Sequence, residues 1–227
     1  MQATIFSRIE QRSVGKEVVD LLREAIISGK LPLGSHLGEI ELSNQMAVSR
    51  IPIREALRQL EQEGLVQRHP NRGCFVIDFT EQDVLEVFSL RAMLESMAFQ
   101  WAIPNLTAAD LERLRQIIEQ QEAAIQRKDY DDLARLDMKF HEYTCTKANH
   151  TRLLKAWYEQ HAQCQILLNL RFYEMADYTP ETVLEDHTTI LNALQSADVD
   201  TAMQLTQEIS NRVTSECIEI LRQYKKE

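Results

Sequence analysis

The sequence predicts a mainly α-helical protein in two parts, a small N-terminal helical unit closed by a β-hairpin and a larger all-α bundle. Apolar residues recur at helical spacing over most of the chain. Glycine is absent from residues 79–227, and proline is sparse there. The stretch that reads as paired strands, residues 65–77, is broken by Pro70-Asn71-Arg72-Gly73. A chain of 227 residues exceeds a typical domain of ~100–150 residues, so the expected division is residues 1–78 and 79–227.

Composition narrows the function classes. Hydrophobic residues make up 44% and charged residues 26%, which predicts a folded core rather than disorder. No run reaches the ~18 apolar residues of a membrane span, and the N-terminus lacks the apolar stretch of a signal peptide. A cytoplasmic protein without a membrane role is expected. Cys74, Cys145, Cys164 and Cys217 show no C-x-x-C spacing, so small core residues in a reducing compartment are expected. The net charge of −10 is unevenly placed, with residues 1–78 balanced and residues 79–227 carrying the whole excess. Five arginines fall between Arg50 and Arg72, so an acidic total hides a basic face on the N-terminal part.

Each element follows from local pattern. Val14, Val18, Leu21, Leu22, Ile26 and Ile27 mark a first amphipathic helix over Ser13–Ser28, and Leu31-Pro-Leu-Gly-Ser predicts a turn. A second helix is predicted at about residues 39–46. A third runs from Ser49 to Glu63, with Pro52 in its first turn and Ile53, Ala56, Leu57 and Leu60 as its buried stripe. Arg50, Arg54 and Arg58 recur every four residues and share the opposite face.

Two short helices with cations on the front of the second are what a helix-turn-helix needs to enter the major groove. Arginine suits the task through bidentate bonding to guanine or phosphate. A solvated helix laced with Arg–Glu pairs has the same spacing. The basic hairpin that follows decides for DNA: Leu65–His69, the Arg72–Gly73 tip and Cys74–Ile77 form a wing, with Arg72 placed to reach phosphates or the minor groove.

Leu42 through Val76, with Val48-Ser-Arg-Ile-Pro-Ile-Arg-Glu-Ala-Leu-Arg-Gln-Leu-Glu-Gln-Glu-Gly-Leu-Val, resembles the winged helix-turn-helix of the GntR family of bacterial transcription regulators. The resemblance implies that Arg50 and Arg54 contact operator bases and phosphates, that Ser49 caps the recognition helix and that Gly73 is the wing glycine. Ala47 stands where glycine is usual, at a cost of ~1 kcal/mol if φ is positive there. Ile51 stands where threonine is common.

Residues 77–81 form a short linker, and Thr80 with Asp83 opens the bundle with a capping box. Helices are predicted at about 81–103, 107–127, 129–148, 150–175, 180–196 and 198–225, with starts marked by Thr107–Asp110 and Thr179–Pro180. Asp137 and His141, four apart, share a helix face, and His187 lies on a later helix. A carboxylate with imidazoles in a bundle can hold a divalent metal, and a hydrogen-bonded Asp–His couple has the same spacing.

Leu136-Asp-Met-Lys-Phe-His-Glu and Asp186-His-Thr-Thr-Ile-Leu-Asn-Ala-Leu resemble the FCD ligand-binding domain of the FadR subfamily over most of residues 80–225. That resemblance implies Zn²⁺ or another divalent transition metal held by one aspartate and three histidines. Asp137, His141 and His187 match three positions, and the fourth falls at Ile209, which cannot coordinate. Glu208 lies about 100° around the helix and is a poor substitute. Arg91 and Arg171 are candidates for an anionic effector, although Arg91–Glu95 also reads as an i, i+4 pair and Arg171 as a solvated side chain.

The reading is a ligand-responsive regulator without enzymatic activity. It is a homodimer on double-stranded operator DNA, repressing until a small organic-acid effector binds. The competing reading is a metal-dependent hydrolase fused to a DNA-binding module, with Asp137, His141 and His187 holding the metal.

Overall fold

The computed structural model describes residues 14–174 and 179–224. They form two compact units, one of residues 14–26 and 30–77 and the other of residues 27–29 with the described residues from 78 onward.

The first unit runs α1 (Val14–Ile27), β1 (His36–Leu37), α2 (Glu39–Gln45), α3 (Arg50–Gln62), β2 (Val66–His69) and β3 (Gly73–Val76). Ile53, Ala56, Leu57 and Leu60 of α3 are fully buried, as their spacing predicts. The α1 stripe is shifted from the expected one. Val18, Val19, Leu22 and Ile26 are buried while Val14 and Leu21 are exposed, because Leu21 lies about 200° around the helix from Val19. The hairpin pairs β2 with β3 in antiparallel register, Val66 opposite Val76 and His69 opposite Gly73. β1 adds a strand to the free edge of β3, with His36 opposite Phe75. Sequence alone reads this two-residue segment as loop, since it is too short to show an alternation.

The turn between α2 and α3 places Ala47 at φ +52°. The Ser43 hydroxyl closes this turn by donating to the Val48 carbonyl at 2.7 Å. An alanine there carries the left-handed strain anticipated above.

The second unit is all-α among the described residues: α4 (Glu81–Ala102), a 3₁₀ turn (Ile103–Asn105), α5 (Ala108–Arg127), α6 (Tyr130–Lys147), α7 (Thr151–Glu174), α8 (Glu181–Gln195) and α9 (Val199–Tyr224). Helix starts follow the predicted chemistry. Thr80–Asp83 and Thr107–Asp110 form reciprocal capping boxes, and Asp129 caps α6. α4 is central, packing on α6, α7 and α9, while α5 and α8 close the far side of α6 and α9. The predicted ends at residues 175 and 225 lie just outside the described residues. All four cysteines are buried free thiols. Among the described residues, no helix is long and apolar enough to cross a membrane.

Candidate functional site

The first unit presents a concave surface between α3 and the wing, lined by Arg50, Arg54, Arg68, His36, Glu39 and Gly73 among others. Arg50 and Arg54 project from the front of α3 with side chains 55% and 60% exposed. Both turn back to Glu39 of α2. Arg54 donates to its carboxylate through Nε at 3.1 Å and Nη2 at 2.8 Å, and Arg50 through Nη2 at 3.3 Å. Arg58 is exposed but lies outside this concavity. It sits with Glu55, Gln59, Gln62 and Glu63 further along α3, so the three-arginine face divides into a front pair and a rear member.

Ser49 occupies the N-cap position of α3, yet its hydroxyl makes no capping hydrogen bond. This corrects the implied capping role. An N-cap side chain bonds to the N–H of the second or third helical residue, and here the third is Pro52, which has none. Thr80 and Thr107 each cap through a third-residue N–H.

At the wing tip, the Arg72 guanidinium lies 5.6 Å from the centre of the Phe75 ring, and Arg68 is tied to Glu61 at 3.2 Å. Gly73 adopts φ +99°, and a Cβ there would lie 2.9 Å from His36 Nε2. Its close approach is therefore to β1 of its own unit. His36 and His69 meet Phe75 edge-on at 5.1 and 5.3 Å between ring centres.

The second unit holds a buried cluster on five helices. α6 contributes Asp137 and His141, α8 His187, α4 Arg91 and Glu95, α5 Gln121, and α7 Arg171. Ligand atoms of Asp137, His141 and His187 lie within 4.8 Å of one another. His141 Nε2 is 3.1 Å from His187 Nε2, and His187 Nε2 is 3.4 Å from Asp137 Oδ1. Ligand atoms around tetrahedral zinc stand ~3.3 Å apart.

The outer nitrogens are held as well. His141 Nδ1 lies 2.9 Å from Glu95 Oε2, and His187 Nδ1 lies 2.9 Å from Gln121 Oε1. With the amide oriented this way, the His187 ring donates from Nδ1 to Gln121 and keeps a lone pair on Nε2, while the His141 Nδ1 contact with Glu95 is one of charge rather than a formed hydrogen bond. Phe140 stacks on His187 at 4.2 Å and fixes its plane. Burial pushes the His187 imidazole below its ordinary pKa despite Asp137, which keeps the ring neutral as a ligand must be. Burial raises the Asp137 carboxyl, but the Arg91 charge outweighs it and holds the group ionised. The donor set and its supports fit a divalent cation.

Arg91 and Glu95 form the expected i, i+4 pair. Both are buried, with Arg91 Nε donating to Glu95 at 2.8 Å and Nη2 to Asp137 at 3.0 Å. Glu95 is held at about 2, because burial is outweighed by Arg91 and His141. Arg171 is likewise buried rather than solvated, 2% exposed, and paired with Glu216. It lines the same pocket as the triad, as do Ile209 and Asp186. Space open to the centre of a water molecule totals about 40 Å³ there, enough for a few waters. Glu208 is exposed and bonded to Gln204, outside this pocket.

Glu95 and Gln121 were missed as supports, although the sequence carries a signal for both. Phe88, Ala92, Glu95 and Phe99 form one buried stripe of α4, and Leu114, Ile117, Gln121 and Ala124 one of α5. A polar residue on such a stripe needs a partner inside the fold.

Comparison with known proteins finds matches over both units. A model of the bacterial regulatory proteins of the gntR family matches residues 15–76, and a model of the FCD domain matches residues 86–212. The HTH-type transcriptional repressor RspR of Escherichia coli K12 is 32% identical over 216 residues, covering 88% of this chain and 89% of its own. A gluconate operon transcriptional repressor of Bacillus licheniformis is 31% identical over 199 residues, covering 85% and 80%. The solved structure of E. coli McbR/YncC shares the fold, with a TM-score of 0.74, 23% identity and coverage of 95% and 100%. These families and relatives are transcriptional regulators, and none of them supports the hydrolase reading. A DNA-reading unit followed by a helical ligand-binding unit, with matches over both, makes this chain a member of the GntR family of bacterial transcriptional regulators that carry an FCD domain.

Proposed function

We propose that the protein is a cytoplasmic homodimeric repressor that leaves its operator when a small carboxylate binds in the helical unit beside a divalent metal. The observation that carries this is the convergence of Asp137, His141 and His187 in a pocket that also contains the buried Arg171. In this reading the three residues hold the ion, which supplies a Lewis-acidic partner for an effector carboxylate. Arg171 offers a second positive group to the same anion, and Arg91 keeps Asp137 charged and oriented. Ile209, which lines this pocket and cannot coordinate, would leave a donor position to the effector. Relatives named as gluconate operon repressors support a sugar acid or similar organic acid as effector.

On the DNA side, Arg50 and Arg54 read bases, while Ser49, Arg58, Arg72 and the Gly73 wing hold the backbone. The Ser49 hydroxyl, released from capping, is available to a phosphate. A second copy is supported by the exposed apolar face of α4, where Met93, Met97 and Trp101 recur every four residues and are 67%, 45% and 54% exposed. Two-fold symmetry then requires a pseudo-palindromic operator.

The test is a footprint on DNA upstream of the protein's own gene, with wild type and Arg54→Ala, repeated with gluconate and related organic acids. Wild type protects a palindromic site, Arg54→Ala does not, and one acid in the series releases it. Protection that Arg54→Ala retains, or that no organic acid alters, refutes the respective half of the reading.

A further inference from the structure

The two arginines at the front of α3 meet a carboxylate on their own protein before they meet DNA. Glu39 stands in the first turn of α2, where a helix N-terminus favours a negative charge. Its side chain is 22% exposed, against 55% for Arg50 and 60% for Arg54. The carboxylate is thus the seated partner, and the guanidinium groups lie over it.

The geometry of the Arg54 contact is directional. Glu39 takes Nε–H and one Nη2–H, which leaves three of the five donors free, both on Nη1 and one on Nη2. These form the end of the fork that bonds guanine O6 and N7. A free arginine loses much of its rotamer freedom when it grips a base, and one already held loses less. Glu39 also cancels one of two positive charges, which weakens attraction to phosphate of any sequence. Both effects favour the correct site over random DNA.

We propose that Glu39 is a specificity-determining positioning residue, holding the Nε side of Arg54 so that its outer edge meets a base and restraining both arginines from indiscriminate phosphate contact. This rests on the reading that Arg50 and Arg54 contact operator bases.

The experiment uses the full-length protein with two duplexes of equal length, one selected by wild type from a random-sequence library and one scrambled. Glu39→Ala lowers the ratio of the two affinities by about tenfold or more, with the selected duplex bound more weakly and the scrambled one more tightly. Glu39→Gln keeps one carbonyl acceptor and recovers part of the ratio. Glu41→Ala removes an equal charge from the same helix turn, where the carboxylate bonds Gln45, and tightens both duplexes alike. The proposal is overturned if Glu39→Ala behaves as Glu41→Ala does, or leaves the ratio at its wild-type value. If Glu39→Ala melts below wild type, Glu39→Gln decides, and an unchanged ratio overturns the proposal. Arg54→Ala separates the two levels. A wild-type ratio there refutes the DNA-contact reading itself, whereas loss there with no loss in the Glu39 variants refutes only the role of Glu39.

Discussion

Trp157 donates its indole N–H to Glu95 at 3.1 Å, and the same carboxylate oxygen accepts from Arg91 Nε at 2.8 Å. The other oxygen faces His141 Nδ1 at 2.9 Å. One buried carboxylate therefore meets a core tryptophan, the cation that charges Asp137, and the His141 imidazole. In the proposed reading, stability and sensing share this group.

Neutralising it tests that joint role. Glu95→Gln keeps the shape but leaves Arg91 with Asp137 as its remaining charge partner, so stability should fall by about 3 kcal/mol, the scale of breaking a buried ion pair. Urea unfolding of the helical unit reads this directly. An unchanged midpoint means that the pair contributes no more than a surface contact.

The fourth ligand position offers a gain-of-function test. Ile209 lines the pocket that holds the triad, and Ile209→His adds an imidazole there. Zinc affinity should rise by at least about tenfold, since the loss of a mere supporting partner costs that much. Competition with a chromogenic chelator measures it. Equal affinity in the variant and wild type would show that residue 209 does not face the ion.

The strained turn of the DNA-reading unit gives a stability prediction. Ala47→Gly removes a left-handed cost of ~1–2 kcal/mol at φ +52° and adds ~0.4–1 kcal/mol of unfolded-state entropy. A net stabilisation of about 0.5 kcal/mol follows, visible as a higher melting temperature for that unit. A lower one contradicts it.

Acid should loosen the same unit through Glu63, which joins α3 to α1 by accepting from Arg23 Nε and Nη2, both at 2.8 Å. Burial pushes this carboxyl up, but the bonds from Arg23 and Gln59 outweigh it, and its pKa lies below the ordinary 4.5. A depressed folded pKa means that the stabilisation is fully present above pH 4.5 and is lost as pH falls through the lower value. Glu63→Gln should flatten that part of the stability profile. A wild-type acid slope in the variant assigns the effect to other carboxylates.

Most of the fold was legible because local chemistry and global packing agree. The α3 stripe, the capping boxes at Thr80 and Thr107, and the Pro70–Gly73 turn each specify their element without help from elsewhere. What was not legible depends on distant partners. β1 is two residues long and exists only because β3 offers it a free edge. Ser49 reads as a cap until Pro52 is recognised as a missing donor. The helix-face argument found Asp137 and His141, but the burial of Arg91 and Arg171 comes from packing among α4, α6, α7 and α9, which no local pattern encodes. The partnership of Glu39 with Arg50 and Arg54 spans eleven and fifteen residues across a turn, beyond any helical spacing rule.

In the proposed function the helical unit senses through a metal held by Asp137, His141 and His187. Elemental analysis of full-length protein purified without chelator, beside His187→Ala prepared in parallel, tests it most directly. About one divalent ion per chain in wild type and its loss in the variant is the predicted result. Equal metal content in the two proteins, or none in either after incubation with zinc, would contradict it.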